Sequence, residues 1–340
     1  MKCRTLTCTP TNVAIKEVAS RVVKLWKSES SATQKNAPAG LGDILLLGNE
    51  DRLKLDSEVR EIYLGYRVKE LWKCFAPLSG WQYRLSSTID FLQRCVIQFY
   101  VHQENERKNE RNKNQDSKVE ERKGTSETGW KGMKCQSFLQ YARDRFKPTV
   151  LPFQNCMITL CNHVPESFMG RELVEKIECV IDLLKSFRSL LFCDKVRSNE
   201  LRKLFHRPNL IEDSSNLFTP ASKELCRIRT RCISALKDLS KSLRGVKFPV
   251  FRNKYEIKNF CFKSASLILC TAATSYKLHS VKMKEPLEVL VIDEAAQLKE
   301  CESAIPLQLP GVRHAILIGD ECQLPAMVQS KVCWIVVLLF

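Results

Sequence analysis

Three apolar runs near the end of the chain each break off into a short polar signature: SLILCTAATS at 266–275, VLVIDEAAQ at 289–297 and HAILIGDECQLP at 314–325. Short apolar runs rich in Val, Ile and Leu suit strands covered on both faces, and such strands belong to parallel sheets. In an open parallel sheet, ligands bind beyond the carboxyl ends of the strands. A polar signature at that end of every run therefore restricts the fold more than any other feature. The N-terminal stretch RTLTCTPTN, strand-like from Arg4 to Cys8, has the same layout. The second run adds chemistry, because Asp293 and Glu294 stand together at its exit. Carboxylates are seldom buried without a positive or chelating partner, so a metal ion is expected there.

The rest of the chain reads differently. TNVAIKEVASRVVKLW, with Val13, Val18, Val22 and Trp26 at helical spacing, predicts an amphipathic helix, and the Ser-, Ala-, Gly- and Pro-containing residues 27–43 predict a loop. From about 52 to 262 the periodicity is mainly helical. Leu173, Ile177, Val180, Leu184, Phe187 and Leu191 form one stripe, and Leu225, Ile228, Cys232, Leu236, Leu239 and Leu243 form another behind a Thr219-Pro220 helix start. Residues 103–123 carry almost no apolar side chain and predict a disordered loop, with a long solvated helix as the lesser alternative. The fold expected is thus a parallel α/β sheet with a large helical insertion.

Charge and cysteine content narrow the partners. Lys and Arg number 54 against 38 Asp and Glu, a formal charge of +16 that favours a polyanion such as nucleic acid or an anionic membrane surface. The apolar end Val332 to Phe340 is far shorter than the ~20 residues of a spanning helix, so no membrane anchor is expected. Sixteen cysteines in a long chain whose start lacks a signal-peptide core point to a reducing compartment and buried thiols. Cys156, Cys161 and His163 come nearest to a metal cluster but fall short of the four ligands of a structural zinc site.

With these signatures in view, the chain resembles superfamily 1 helicases of the branch that holds senataxin and the nonsense-mediated-decay helicase, most closely plant senataxin-like members. TCTPTNVAI (7–15) resembles motif Ia, LCTAATSYKL (269–278) the next nucleic-acid-contacting motif, VIDEAAQ (291–297) motif II and LIGDECQLPA (317–326) motif III. The resemblance implies an incomplete RecA-like P-loop NTPase sheet: residues 1–27 its first part, 28–262 a prong-like helical insertion, 263–331 its remainder, and 332–340 an atypical tail. It also implies ATP and Mg²⁺ as cofactors, with Asp293 coordinating the metal, Glu294 activating water and Gln323 contacting the γ-phosphate. Gly319 and Asp320 would form the coupling loop. Thr9, Pro10, Thr11, Asn12, Thr271, Ala272 and Thr274 would line a channel for single-stranded RNA or DNA. Gln297 and Lys277 are expected as packing or solvent residues. Nuclear RNA metabolism is the implied setting, with the cytoplasm as the other location.

The family's activity also needs a Gly-rich loop followed by Lys and Ser or Thr to cradle the phosphates, and arginines from a second RecA-like domain. The nearest match in spacing is Gly124 to Gly129, where Trp130 and Lys131 replace the required pair. The expectation is a partial enzyme, inactive on its own, that lacks a central strand as well as the phosphate loop. Two alternatives stand beside it: a non-catalytic nucleic-acid-binding or interaction module, and a fragment that does not fold stably.

Overall fold

The structure is a computed structural model that describes residues 3–33, 40–120, 136–209, 217–283 and 285–320. It contains one five-stranded sheet, ordered β2-β3-β1-β4-β5 and parallel throughout, with β1 Thr5–Thr9, β2 Ile44–Leu46, β3 Leu267–Thr271, β4 Val289–Ile292 and β5 His314–Leu317. The chain packs into two compact units. One comprises Met1–Pro77, Ile158–Val174 and Phe248–Phe340 and holds the sheet; the other, Leu78–Met157 and Glu175–Lys247, is helical among its described residues.

In the sheet unit, β1 pairs with β3 on one side and β4 on the other. Leu6 and Cys8 point into fully buried surroundings, as do Ile268 and Cys270 of β3 and Leu290 and Ile292 of β4. The helix Asn12–Thr33 covers the sheet with Ile15, Ala19 and Val23, which pack with Ile44, Leu46, Leu53, Val59, Ile62 and Leu269. It runs past residue 27, into the stretch expected as a loop. The Ser28 hydroxyl donates to the Leu25 carbonyl, so a residue counted as a loop former is satisfied inside the helix.

Two further expectations are corrected. Ile44–Leu46, within the presumed insertion, is a strand of the sheet, paired with β3 and buried throughout. The five strands are hydrogen-bonded in unbroken succession, and the open edges among the described residues are β2 and β5. β5 is also not the buried strand its apolar run suggested. Among the described residues it pairs with β4 alone, and Ile316 and Leu317 are exposed.

In the helical unit both expected stripes are buried, on Arg171–Leu191 and on Pro220–Gly245, and the Thr219 hydroxyl accepts from the Ser222 amide as a cap. The Trp81–Glu120 helix continues through 103–120, where composition suggested a disordered loop; 121–123 lie outside the described residues. Leu85, Phe91, Leu92, Cys95, Val96 and Phe99 bury its first half. A helix nucleated by that half propagates cheaply into a stretch free of Gly and Pro. Arg229 is buried in this unit. Its guanidinium donates to the carbonyls of Leu92, Gln93 and Phe205 and lies 4.2 Å from the Phe205 ring centroid.

The turn before β2 depends on a comparable clamp. Arg67, fully buried, donates to the carbonyls of Leu41, Gly42 and Ile44. His163 lies nearby in the same unit, with Nε2 3.4 Å from Glu61 Oε2 and its ring edge-on to Tyr66. Burial, aided by the Arg67 charge, pushes the imidazole down to about 3, so the contact joins a neutral ring to a carboxylate. Because that value lies below the ordinary 6.5, the unfolded chain takes up a proton that the folded chain refuses. The stability this contributes is complete above pH 6.5 and is lost as the pH falls from there toward 3. Glu61, raised by burial, opposes the trend only in the carboxylate range. We predict that urea midpoints measured between pH 7.5 and 5.5 give an unfolding free energy that falls with acidity, the slope approaching about 1.4 kcal/mol per pH unit. His163→Gln should flatten that slope; an unchanged slope would exclude His163 as its source.

Candidate functional site

Because all strands are parallel, their carboxyl ends share one edge, and the sheet order sets what lies beside what. Along that edge stand the residues after β2, then Thr271 of β3, Thr9 of β1, Asp293 after β4 and Ile318-Gly319 after β5. Hydrogen bonds between neighbouring ends fix them. The Ala272 amide donates to the Thr9 carbonyl at 2.9 Å, and the Asp293 amide to the Cys8 carbonyl at 2.9 Å. The Ile318 amide donates to the Ile292 carbonyl and the Ala295 amide to the Ile318 carbonyl, both at 2.8 Å.

Asp293 and Glu294 are half-buried in the turn that ends β4. Glu294 has left-handed backbone, φ 58° and ψ 39°, which is unusual for a residue with a long side chain. Its amide donates to Asp293 Oδ1 at 3.1 Å, and its Oε2 accepts from Gln297 Nε2 at 3.0 Å. Gln297, expected only to pack or face solvent, thus holds one carboxylate oxygen of the pair. Its spacing of three residues from Glu294 was visible, but the left-handed turn that brings the side chains together was not. Gly319 explains the close approach of the next strand end. A Cβ there would lie 2.9 Å from the Ala296 amide nitrogen and 3.3 Å from that of Ala295. Asp320 follows on the exposed side, and Gln323 lies outside the described residues.

The candidate nucleic-acid residues divide by exposure. Thr9 is fully buried, its hydroxyl donating to the Thr11 carbonyl at 2.9 Å. Thr271 and Ala272 are also buried, and the Thr271 hydroxyl lies 2.8 Å from that of Thr274 and accepts from the Thr274 amide. These three shape the edge. Thr11 is exposed, and Pro10, Asn12 and Thr274 are half-exposed. Thr11 also caps the following helix by accepting from the Ala14 amide at 3.2 Å, so this helix N-terminus faces the carboxyl edge with capping hydroxyl and amide donors.

The carboxylate pair suits a hard divalent cation. Asp293 Oδ2 has no hydrogen-bond partner among the described residues, and neither carboxylate forms an ion pair there. No group of three or more His, Cys, Asp or Glu that could cage a metal occurs among the described residues. One or two carboxylates completed by water and phosphate oxygens is how Mg²⁺ is usually held.

The left-handed conformation of Glu294 costs roughly 1–2 kcal/mol in a residue with a Cβ. We predict that Glu294→Gly raises the unfolding free energy by about 1 kcal/mol, once the lost Gln297 contact offsets part of the relief. A chemical-denaturation comparison checks this. A loss of stability would show that the turn is relaxed or that the Gln297 contact outweighs its strain.

Over 71 residues, 20% of this chain and 5% of the relative, the sequence is 38% identical to the regulator of nonsense transcripts 1 homolog of Arabidopsis thaliana. It is 33% identical over 102 residues, 29% of this chain and 8% of the relative, to the homolog of the same name in Drosophila melanogaster. It is 34% identical over 74 residues, 22% of this chain and 8% of the relative, to a Dictyostelium discoideum protein named a probable helicase. The match therefore spans less than a tenth of each relative's length. A family described as an AAA domain, AAA_11, matches residues 1–331. A parallel sheet with its polar residues gathered at the carboxyl edge, matched by this family over nearly its whole length, places the chain: it belongs to the AAA_11 family of AAA domains.

Proposed function

We propose that this carboxyl edge is the hydrolytic and strand-gripping face of a superfamily 1 helicase of the senataxin-like kind, acting with ATP on single-stranded RNA or DNA. The observation that carries the reading is the Asp293-Glu294 turn, locked by hydrogen bonds to β1 on one side and to the Gly319 strand end on the other. The family match and the helicase named among the relatives support it.

Asp293 would hold Mg²⁺ through the oxygen not occupied by the Glu294 amide. The ion would supply charge neutralisation for the phosphates. Glu294 has its Oε2 engaged by Gln297, which orients the carboxylate and leaves Oε1 to accept a proton from the attacking water. That water attacks the γ-phosphorus, and the bond to the β-phosphate oxygen breaks. Because the Ala295 amide is bonded to the Ile318 carbonyl, a shift of the carboxylate turn moves Gly319 and Asp320 with it. The Asp293 amide bond to the Cys8 carbonyl would carry the same shift toward β1 and the strand-contacting residues beyond it. There, Thr11, Asn12 and Thr274 would meet sugar-phosphate oxygens, contacts that do not depend on base sequence.

Residues 1–340 carry no Gly-rich loop with the Lys and Ser or Thr that phosphate binding requires, and the reading therefore has them inert when tested by themselves. We predict that purified residues 1–340 hydrolyse ATP no faster than the Glu294→Gln variant. In a longer polypeptide that supplies the loop before β1 and a second RecA-like domain, the same substitution should lower kcat by about 10²-fold or more. Equal turnover by variant and parent in that longer protein would overturn the assignment of Glu294.

A further inference from the structure

Beside β2, on the same carboxyl edge, lies a pocket of about 420 Å³ that none of the candidate catalytic or strand-contacting residues line. Its floor and walls include Tyr63 and Phe262, both buried, and exposed Tyr255; its charges are Lys254, Lys258 and Lys277. Lys277, set aside from the sequence as a solvent residue, is brought here by the turn that follows Thr274. With strands about 4.8 Å apart, the β2 end lies roughly 14 Å along the edge from Asp293, well away from the carboxylate pair.

Three lysines give one side of this pocket a concentrated positive charge. Lys254 and Lys258 sit one turn apart in the helix Lys254–Ser264, so they repel each other. Lys254 is the first residue of that helix, where the helix dipole disfavours cations. Neither they nor Lys277 forms an ion pair among the described residues. Three such ammonium groups around a cavity with an aromatic rim match a phosphate joined to a planar base. Glu50 and Asp51, which act electrostatically on Tyr63, leave the lysine side as the place for the phosphate.

We propose that this pocket seats one nucleotide unit of a bound single strand, its phosphate among Lys254, Lys258 and Lys277 and its base against Tyr255. The proposal rests on the nucleic-acid reading of the carboxyl edge and extends that edge beyond the Thr274 loop. Occupancy would fix where the strand leaves the sheet.

The test uses residues 1–340 with fluorescein-labelled ten-nucleotide oligo(U) and oligo(dT), followed by fluorescence anisotropy across a salt series. Lys254→Ala/Lys258→Ala/Lys277→Ala should weaken binding at least tenfold and reduce the log-log salt slope by about 0.7, the share of the one phosphate the pocket seats. Tyr255→Ala should weaken binding about tenfold and leave the slope unchanged. A charge-matched control, Lys24→Ala/Lys69→Ala/Lys195→Ala, removes exposed lysines outside the pocket lining and should have a much smaller effect. If the parent binds both probes and the pocket variants match the control, the pocket is not a nucleotide seat while the wider reading stands. If the parent binds neither probe, both fall together. Thermal melts alongside would identify a variant that has lost its fold, and Tyr255→Ala, at a site 66% exposed, then decides the question alone.

Discussion

The whole site depends on the position of β1 between β3 and β4 in parallel register. The Cys8 carbonyl receives the Asp293 amide, and the next carbonyl, that of Thr9, receives the Ala272 amide. One short strand therefore sets the height of the carboxylate turn and of the Thr271–Thr274 loop together. A slip of one residue would turn every side chain of β1 to the opposite face. Alternation along β1 resists that slip, since Leu6 and Cys8 are fully buried while Thr5 and Thr7 are only half-buried. Facing each other in that register, Cys8 and Cys270 bring their sulfurs to 3.8 Å, small enough side chains to let three strands close around a dry centre.

Buried arginines hold the connections that the sheet cannot hold itself. Arg4 donates to the carbonyls of Phe262, Ala265 and Glu285, tying the start of β1 to the chain on either side of β3. Arg67 does the same for the turn into β2, and Arg229 for the helical unit. A guanidinium has five donors in a fixed fork, so one side chain can satisfy several carbonyls left unpaired at turns and helix ends. Part of the basic excess is thus structural. The formal charge of +16 favours a polyanionic partner, but counting arginines overstates the number free to meet one.

Local pattern made much of this legible. Apolar runs ending in polar signatures marked β1, β3, β4 and β5, and helical stripes marked Arg171–Leu191 and Pro220–Gly245. Ile44–Leu46 escaped because three residues carry no periodicity; only pairing with β3 makes them a strand. β5 looked buried because its composition matches that of β4, and composition does not say how many neighbours a strand has. The charged half of Trp81–Glu120 was misjudged because disorder was inferred from missing apolar surface, whereas the helix is anchored by its other half. At the site, residue types at Asp293, Glu294 and Gly319 were visible in the sequence. The Gln297 contact and the place of Lys277 in the pocket lining were not, because each depends on a turn that the residue types alone do not reveal.

The central claim is that the carboxyl edge of this sheet is the surface that meets nucleic acid. Hydrogen–deuterium exchange of residues 1–340, with and without a saturating single-stranded oligonucleotide, tests it most directly. The account predicts new protection in peptides covering residues 9–14 and 271–278, at the ends of β1 and β3. Protection confined to the helical unit, or none despite measured binding, would contradict it.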